Sequence, residues 1–121
     1  MNIAFIDMVH PVLQEMLEAR GWTCTPMYSD DIQYIKKKIA GFSGIVIRSR
    51  ITLDKDFLKL ATNLKFIARS GAGMENIDLG YCKQKNIVCF NSPEGNRDAV
   101  GEHMLGQLLM LMNNLKKANQ E

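Results

Sequence analysis

Short apolar runs alternate with longer amphipathic runs along the 121-residue chain, and this alternation predicts a parallel sheet whose strands are joined by helices. The runs I-A-F-I, G-I-V-I and K-F-I-A are almost continuously apolar, which is typical of strands buried on both faces. We predict strands at Asn2–Ile6, Thr23–Met27, Gly44–Ile47, Leu64–Arg69 and Ile87–Phe90. We predict helices at Pro11–Arg20, Asp31–Ala40, Asp54–Ala61 and Asn76–Lys85. Right-handed crossovers then favour a doubly wound α/β fold, a flavodoxin-like five-stranded parallel sheet of order 2-1-3-4-5.

Residues at the predicted boundaries agree with these elements. Pro11 suits the first turn of a helix, because its missing N–H needs no partner there. Gly21 and Gly41 suit the C-termini of helices, and Asp54 can cap the N-terminus of the third one.

The segment Arg97–Ala118 is predicted to form a C-terminal helix longer than the others. It carries a broad apolar face made of Val100, Met104, Leu105, Leu108, Leu109, Met112 and Leu115. Met110 and Leu111 widen this face beyond what one small sheet needs to cover. We therefore expect residues 97–118 to bind a second apolar surface, as in a homodimer.

Charge and cysteine content exclude several classes of protein. Fifteen Lys and Arg residues against 13 Asp and Glu residues leave a formal charge of +2, and the basic run Lys36–Lys38 falls at the end of a predicted helix. We therefore expect no nucleic-acid partner. Cys24, Cys82 and Cys89 form no C-x-x-C pair, so neither a disulfide framework nor a metal site is expected. Without a leader-like or membrane-spanning run, the expectation is a cytoplasmic protein with reduced thiols.

A Gly-x-Gly loop, Gly71-Ala72-Gly73, follows the fourth predicted strand. Its uncovered backbone N–H groups could bind an anion. As a dinucleotide fingerprint the loop fails twice, because Asn76 stands where the third glycine belongs and the next strand ends at Asn91 rather than at an acid. Two interpretations stay open, a backbone nest for a small carboxylate and a tight turn with no ligand.

Two arginines follow the third predicted strand, in Arg48-Ser49-Arg50. Parallel strands end at a common edge, so Arg48 or Arg50 should lie near Gly71–Gly73, where open α/β sheets bind ligands. The planar guanidinium group suits carboxylate or phosphate, although solvation of a loop is an equally good explanation. Arg69 could join this site or pair with an acid such as Glu75 or Asp78.

The residues that other functions of this fold would need are not found at the expected positions. A phosphoacceptor receiver domain needs acids after the first and third strands, whereas Asp7 is alone and Arg48 occupies the second position. Flavodoxin proper would need a hydroxyl-rich phosphate loop after the first strand. Glu102 and His103 are adjacent in a predicted helix and point about 100° apart, so they cannot act as a catalytic couple. His10 has no visible partner.

Four motifs together resemble the N-terminal part of the D-isomer-specific 2-hydroxyacid dehydrogenases, and most closely the D-3-phosphoglycerate dehydrogenase branch. These motifs are G-I-V-I-R-S-R-I-T at 44–52, R-S-G-A-G-M-E-N-I-D-L at 69–79, N-I-V-C-F-N-S-P at 86–93 and E-G-N with G-E-H-M-L-G within 94–106. The resemblance implies a substrate-binding domain at residues 1–95, an interdomain or dimerisation helix at 96–121, and a separate NAD-binding domain that carries the catalytic His, Glu and Arg.

The same resemblance assigns roles to particular residues. It implies that Arg48 and Ser49 face the anionic end of a small 2-hydroxy acid or phospho-hydroxy acid, and that the backbone of Gly71–Gly73 holds the carboxylate. Ala72 would lie near the nicotinamide without a side-chain hydrogen bond to it. Arg97, where the family has Ser or Thr, leaves the helix cap to Asn96.

The implied reaction is the NAD-dependent oxidation of 3-phosphoglycerate to 3-phosphohydroxypyruvate in serine biosynthesis. A complete G-x-G-x-x-G motif, a ribose-binding acid and the catalytic residues are not found in these 121 residues. We therefore expect a truncated chain with no catalytic residue of its own and negligible activity alone. The alternatives are a stand-alone module that binds small anions and an assembly module that acts through its long helix.

Overall fold

In the part of the chain that the structure describes, five parallel strands form one sheet in the order β2-β1-β3-β4-β5, as the sequence predicts. The computed structural model describes residues 1–9, 11–70, 74–92, 106–111 and 113. The strands are β1 (Asn2–Phe5), β2 (Thr23–Pro26), β3 (Gly44–Ile47), β4 (Phe66–Ser70) and β5 (Val88–Ser92). All pairings between neighbouring strands are parallel, so the carboxyl ends of the five strands meet at one edge of the sheet.

Helices connect successive strands. They are α1 (Pro11–Ala19), α2 (Ile32–Lys38), α3 (Lys55–Leu60) and α4 (Leu79–Gln84), and a 3₁₀ turn at Ile39–Gly41 extends α2. The carboxylates of Asp31, Asp54 and Asp78 cap α2, α3 and α4 by accepting a backbone N–H three residues on. Gly21 ends α1 with a φ of +87°, and Gly41 ends the 3₁₀ turn.

Helix α4 begins later than predicted, at Leu79 instead of Asn76. The reason is a pairing between separate parts of the chain, because Ile77 forms a parallel bridge with Leu53. The N–H of Leu53 donates to the carbonyl of Asn76 at 2.7 Å, and the N–H of Asp78 donates to the carbonyl of Leu53 at 2.9 Å. Asn76 therefore ends a turn and Ile77 lies in the bridge, so the helix starts only after Asp78.

Both faces of the sheet are covered, which confirms the doubly wound arrangement. On one face, Ile3, Phe5 and Val46 pack with Leu13 and Leu17 of α1 and with Leu108 and Leu111. On the other face, Ala4, Ile6, Ile45 and Ile47 pack with residues of α2, α3 and α4. Alternate residues of each strand point to opposite faces, so the apolar runs of the sequence supply both cores.

The predicted C-terminal helix is described only in part. Residues 106–111 and 113 are helical, and Leu108 and Leu111 are buried against the sheet while Met110 is 68% exposed. The rest of the prediction for 97–118 falls outside the described residues, as do the proposed cap Asn96 and the pair Glu102 and His103.

Close contact between β3 and β4 depends on a glycine. Gly44 is in register with Phe66, and a Cβ atom on Gly44 would overlap the tip of the Phe66 ring. That ring is fully buried and stacks on Phe90 at a centroid distance of 6.1 Å. It therefore has little room to move away.

We expect Gly44→Ala to lower the free energy of unfolding by about 1–3 kcal/mol, because the added methyl group overpacks a buried strand pair. Urea unfolding followed by circular dichroism measures this change. Gly41→Ala is the control, since nothing lies within 4 Å of a Cβ atom at that position. Equal stability of the two variants would contradict the prediction.

Candidate functional site

The carboxylate of Asp7 holds the loop that follows β3. Asp7 lies just beyond β1, and its Oδ2 accepts the backbone N–H of Arg48 at 2.5 Å and that of Arg50 at 3.1 Å. These bonds join positions far apart in sequence through the pairing of β1 with β3. Because the acceptor is an ionised carboxylate, both hydrogen bonds are charge-assisted. Asp7 therefore determines where the backbone of residues 48–50 lies.

The guanidinium group of Arg50 is committed to the backbone. Its Nη1 donates to the carbonyl of Ile6 at 3.1 Å and to that of Met27 at 2.7 Å, and its Nη2 donates to the carbonyl of Asp30. The group thus connects the ends of β1 and β2 with the loop after β3. Arg48 and Arg50 are the two arginines that the sequence indicates for binding an anion, and of these Arg50 has a structural role.

Asn76 connects the loops that follow β3 and β4. Its Oδ1 accepts a hydrogen bond from Nε of Arg69 at 2.9 Å. Its Nδ2 donates to the carbonyls of Arg48 and Ile51 at 3.3 and 3.2 Å. The sequence suggests an acidic partner for Arg69, Glu75 or Asp78, but Nε of Arg69 donates to this amide.

Arg48 lies at the carboxyl edge of the sheet, as predicted, with Ser49 next to it in the chain, and both residues are exposed. Ile47, the last residue of β3, is in register with Arg69, and Ser70 ends β4 one residue later. The loop Gly71–Gly73 follows Ser70 in the chain but lies outside the described residues. Whether Arg48, Ser49 and this loop surround one ligand therefore stays a prediction.

Sequence reasoning missed two residues of this edge. It treated Asp7 only as a lone acid that could not hold a metal, and Asn76 only as a missing glycine. Both act on backbone groups, Asp7 on N–H donors 41 and 43 residues away and Asn76 on a carbonyl 28 residues away. Their positions could have indicated this role. Each residue follows a strand at the carboxyl edge of the sheet, where backbone N–H and carbonyl groups lack a strand partner.

The three cysteine side chains are free thiols; Cys82 is buried, whereas Cys24 and Cys89 are partly buried. Burial raises the pKa of Cys24 to about 11, with a further contribution from the charge of Glu18. Burial raises the pKa of Cys89 to about 12, and the neighbouring Cys82 adds to the effect. The pKa of Cys82 is also raised, mainly by burial. A thiol that resists ionisation is a poor nucleophile and a poor metal ligand.

Other features of the described residues add no competing site. Within the described ranges, no group of three or more His, Cys, Asp and Glu side chains is placed to hold a metal ion. No helix in that part of the chain is long and apolar enough to cross a membrane. A cleft of about 250 Å³ between α3 and α4, lined partly by Leu58, Tyr81 and Lys85, lies away from Arg48 and Ser49.

We expect Asp7→Ala to accelerate hydrogen exchange at the amides of Arg48 and Arg50, because both lose their acceptor. The free energy of unfolding should fall by about 1–2 kcal/mol, as for a hydrogen bond to a charged group near the surface. NMR-detected exchange and urea unfolding measure the two effects. Asp31→Ala is the control, because it removes a carboxylate that accepts one N–H at the start of α2. Unchanged exchange at Arg48 and Arg50 in Asp7→Ala would contradict this role.

Alkylation by iodoacetamide should be slow at neutral pH, because the thiolate is the reactive form. With a pKa of about 11, Cys24 is ionised in about one molecule per thousand at pH 8. The rate at Cys24 should therefore rise about tenfold per pH unit up to pH 10, whereas glutathione as the control levels off earlier. Mass spectrometry of the modified peptides gives the rates. A plateau at Cys24 below pH 9 would be inconsistent with the raised pKa.

Comparison with known proteins agrees with this architecture. The family model described as D-isomer specific 2-hydroxyacid dehydrogenase, catalytic domain, matches residues 3–117. The D-3-phosphoglycerate dehydrogenase of Haemophilus influenzae is 32% identical over 122 residues, which cover 99% of this chain and 30% of that protein.

Solved structures show the same likeness. The NAD+-bound 3-phosphoglycerate dehydrogenase of Entamoeba histolytica aligns with a TM-score of 0.66 and 29% identity, over 89% of this chain and 38% of that one. The NAD-dependent formate dehydrogenase of Staphylococcus aureus aligns with a TM-score of 0.65 at 20% identity, over 98% of this chain and 40% of that one, which shows the shared fold. The chain thus spans less than half the length of each of these proteins.

Proposed function

The chain belongs to the D-isomer-specific 2-hydroxyacid dehydrogenase family, and from this premise we propose that it forms the substrate-binding part of an NAD-dependent oxidoreductase. Its ligand is a small D-2-hydroxy acid, with 3-phosphoglycerate as the first candidate because the relatives above include D-3-phosphoglycerate dehydrogenases. The observation that carries the proposal is the braced loop after β3, which presents Arg48 and Ser49 at the carboxyl edge of the sheet.

The chemistry of this loop suits an anion. The guanidinium group of Arg48 offers a planar set of donors for a carboxylate or phosphate, and the hydroxyl group of Ser49 offers one more donor. Because the backbone of residues 48–51 is held by Asp7 and Asn76, little conformational entropy is lost when a ligand binds. We propose that backbone N–H groups of Gly71–Gly73 complete the site around the carboxylate, with Ala72 toward the nicotinamide.

The described residues of this chain do not fit the pyrophosphate of NAD. In a dinucleotide-binding turn the helix begins at the glycine loop, and its free N–H groups face the phosphates. Here α4 begins at Leu79, and the carboxylate of Asp78 already accepts the N–H of Tyr81. This negative charge at the helix N-terminus would repel a pyrophosphate. We propose that another part of the whole protein binds NAD and carries the catalytic groups, so that these 121 residues alone are inactive.

The proposed reaction of the whole protein is the oxidation of 3-phosphoglycerate to 3-phosphohydroxypyruvate, a step of serine biosynthesis in the cytoplasm. The role of this chain in that reaction is to bind and orient the anionic end of the substrate.

A second role, in assembly, is favoured by one observation. Met110 is 68% exposed on the helical segment whose Leu108 and Leu111 cover the sheet. An apolar residue on the outer side of that segment supports the proposal that residues 97–118 also contact a second copy of the chain. Sedimentation at micromolar concentration tests it, and a clean monomer would contradict it.

We expect Arg48→Ala to weaken binding of 3-phosphoglycerate by about tenfold to a hundredfold, because a hydrogen bond to a charged group contributes about 1.5–3 kcal/mol. NMR titration of the amide signals of residues 48–52 measures the affinity, even where it is in the millimolar range. Arg20→Ala is the matched control, since it removes one exposed positive charge near the opposite edge of the sheet.

NADH serves as the second ligand in the same titration, and no binding is expected. Equal affinity of the Arg48→Ala and Arg20→Ala variants for 3-phosphoglycerate would remove Arg48 from the site. Saturable NADH binding by the unaltered chain would contradict the proposal that another part of the whole protein binds the cofactor.

A further inference from the structure

The side-chain amide of Asn76 has all of its polar atoms engaged. Nε of Arg69 can only donate a hydrogen bond, so the atom of Asn76 that faces it at 2.9 Å must be the oxygen. The amide nitrogen then faces the carbonyls of Arg48 and Ile51, and both of these can only accept. One planar group thus serves as acceptor for the end of β4 and as donor to the loop after β3.

The backbone around Asn76 is paired with the same loop. Its carbonyl accepts the N–H of Leu53 at 2.7 Å, and the bridge between Leu53 and Ile77 follows directly. Met74, one residue after Gly73, accepts the N–H of Ile77 at 3.1 Å. The chain that leaves the glycine loop is therefore attached to the chain that leaves Ser49 and Arg50 within a few residues.

Aspartate could not replace asparagine in this arrangement. A carboxylate would still accept from Arg69, but it has no hydrogen to offer to the carbonyls of Arg48 and Ile51. Its oxygens would face two carbonyl oxygens, and the added negative charge would lie beside the residues proposed to hold an anion. The amide is thus the side chain that satisfies the three partners at once.

We propose that Asn76 is a positioning residue of the anion site, which holds Arg48 and Ser49 in place relative to the chain that follows Gly73. This inference rests on the proposed function, because it names what holds Arg48 and Ser49, the described residues of that site, in place. Asn76 acts through the carbonyls of Arg48 and Ile51 and does not itself contact the substrate. Asp7 holds the loop after β3 only through the N–H groups of Arg48 and Arg50. Asn76 also holds this loop through the carbonyl groups of Arg48 and Ile51.

The decisive variant is Asn76→Asp, with Asn63→Asp as its matched control. Nδ2 of Asn63 donates to the carbonyl of Ala40 at 2.7 Å, so the control loses the same kind of hydrogen bond by the same isosteric change. Asn63 lies between α3 and β4, near the opposite edge of the sheet. A difference between the two variants reports the loss of the Asn76 contacts together with the added charge near the anion. The neutral variant Asn76→Ser, which adds no charge, must therefore also weaken binding if Asn76 acts by positioning.

Two readouts are needed, one without ligand and one with it. Without ligand, the ¹⁵N shifts of Ser49 and Thr52 report on the peptide groups that contain the carbonyls of Arg48 and Ile51. With ligand, an NMR titration gives the affinity for 3-phosphoglycerate. We expect Asn76→Asp to move both ¹⁵N signals and to weaken binding at least tenfold, while Asn63→Asp changes neither. Thermal unfolding shows whether the two variants lose similar stability.

The outcomes separate this inference from the proposed function. If the unaltered chain binds 3-phosphoglycerate and Asn76→Asp binds it equally well, the positioning role is overturned, even if the ¹⁵N signals move, and the proposed function stands. If the unaltered chain does not bind 3-phosphoglycerate, the proposed function fails and the inference fails with it. Should Asn76→Asp not fold, Asn76→Ser replaces it, because its short hydroxyl group cannot reach all three partners. Unchanged affinity in that variant would also overturn the inference.

Discussion

Parallel strand pairing is the constraint on which the candidate site depends. The five described strands run in one direction, so their carboxyl ends meet at a single edge, where backbone groups beyond the last ladder bond have no strand partner. Side chains supply the missing partners. Asp7 accepts two N–H groups of the loop after β3, while Arg50 and Asn76 donate to backbone carbonyls. The edge is therefore ordered by its own polar residues before any ligand arrives.

The three arginines at this edge make different hydrogen bonds. Arg50 serves the carbonyls that end β1 and β2, and Arg69 serves the amide of Asn76. Arg48 is held through its backbone, at the N–H by Asp7 and at the carbonyl by Asn76, and the residue is exposed. A positively charged residue on a fixed backbone suits the recognition of a small anion. Because the loop is already ordered by folding, little conformational entropy is lost when the anion binds.

The glycine loop shows how a short motif can mislead. Gly71-Ala72-Gly73 resembles the start of a dinucleotide fingerprint, yet the helix that should follow at once begins only at Leu79. Residues 76–78 are used instead to pair with Leu53, and Asp78 caps the helix with its own carboxylate. This geometry of the described residues is unlike a dinucleotide-binding turn, which is why the proposal assigns the loop to the substrate.

The sequence by itself determined the class of fold, the strand order and the edge at which Arg48 and Ser49 lie, because alternating apolar and amphipathic runs are local patterns that admit few right-handed arrangements. It also carried the family likeness in its four motifs. Only the tertiary structure decided that Arg50 is structural and that Asp7 and Asn76 hold the loop. Those contacts join residues between 20 and 44 positions apart, and hydrogen bonds of that range depend on how the strands are placed side by side, which no local pattern records.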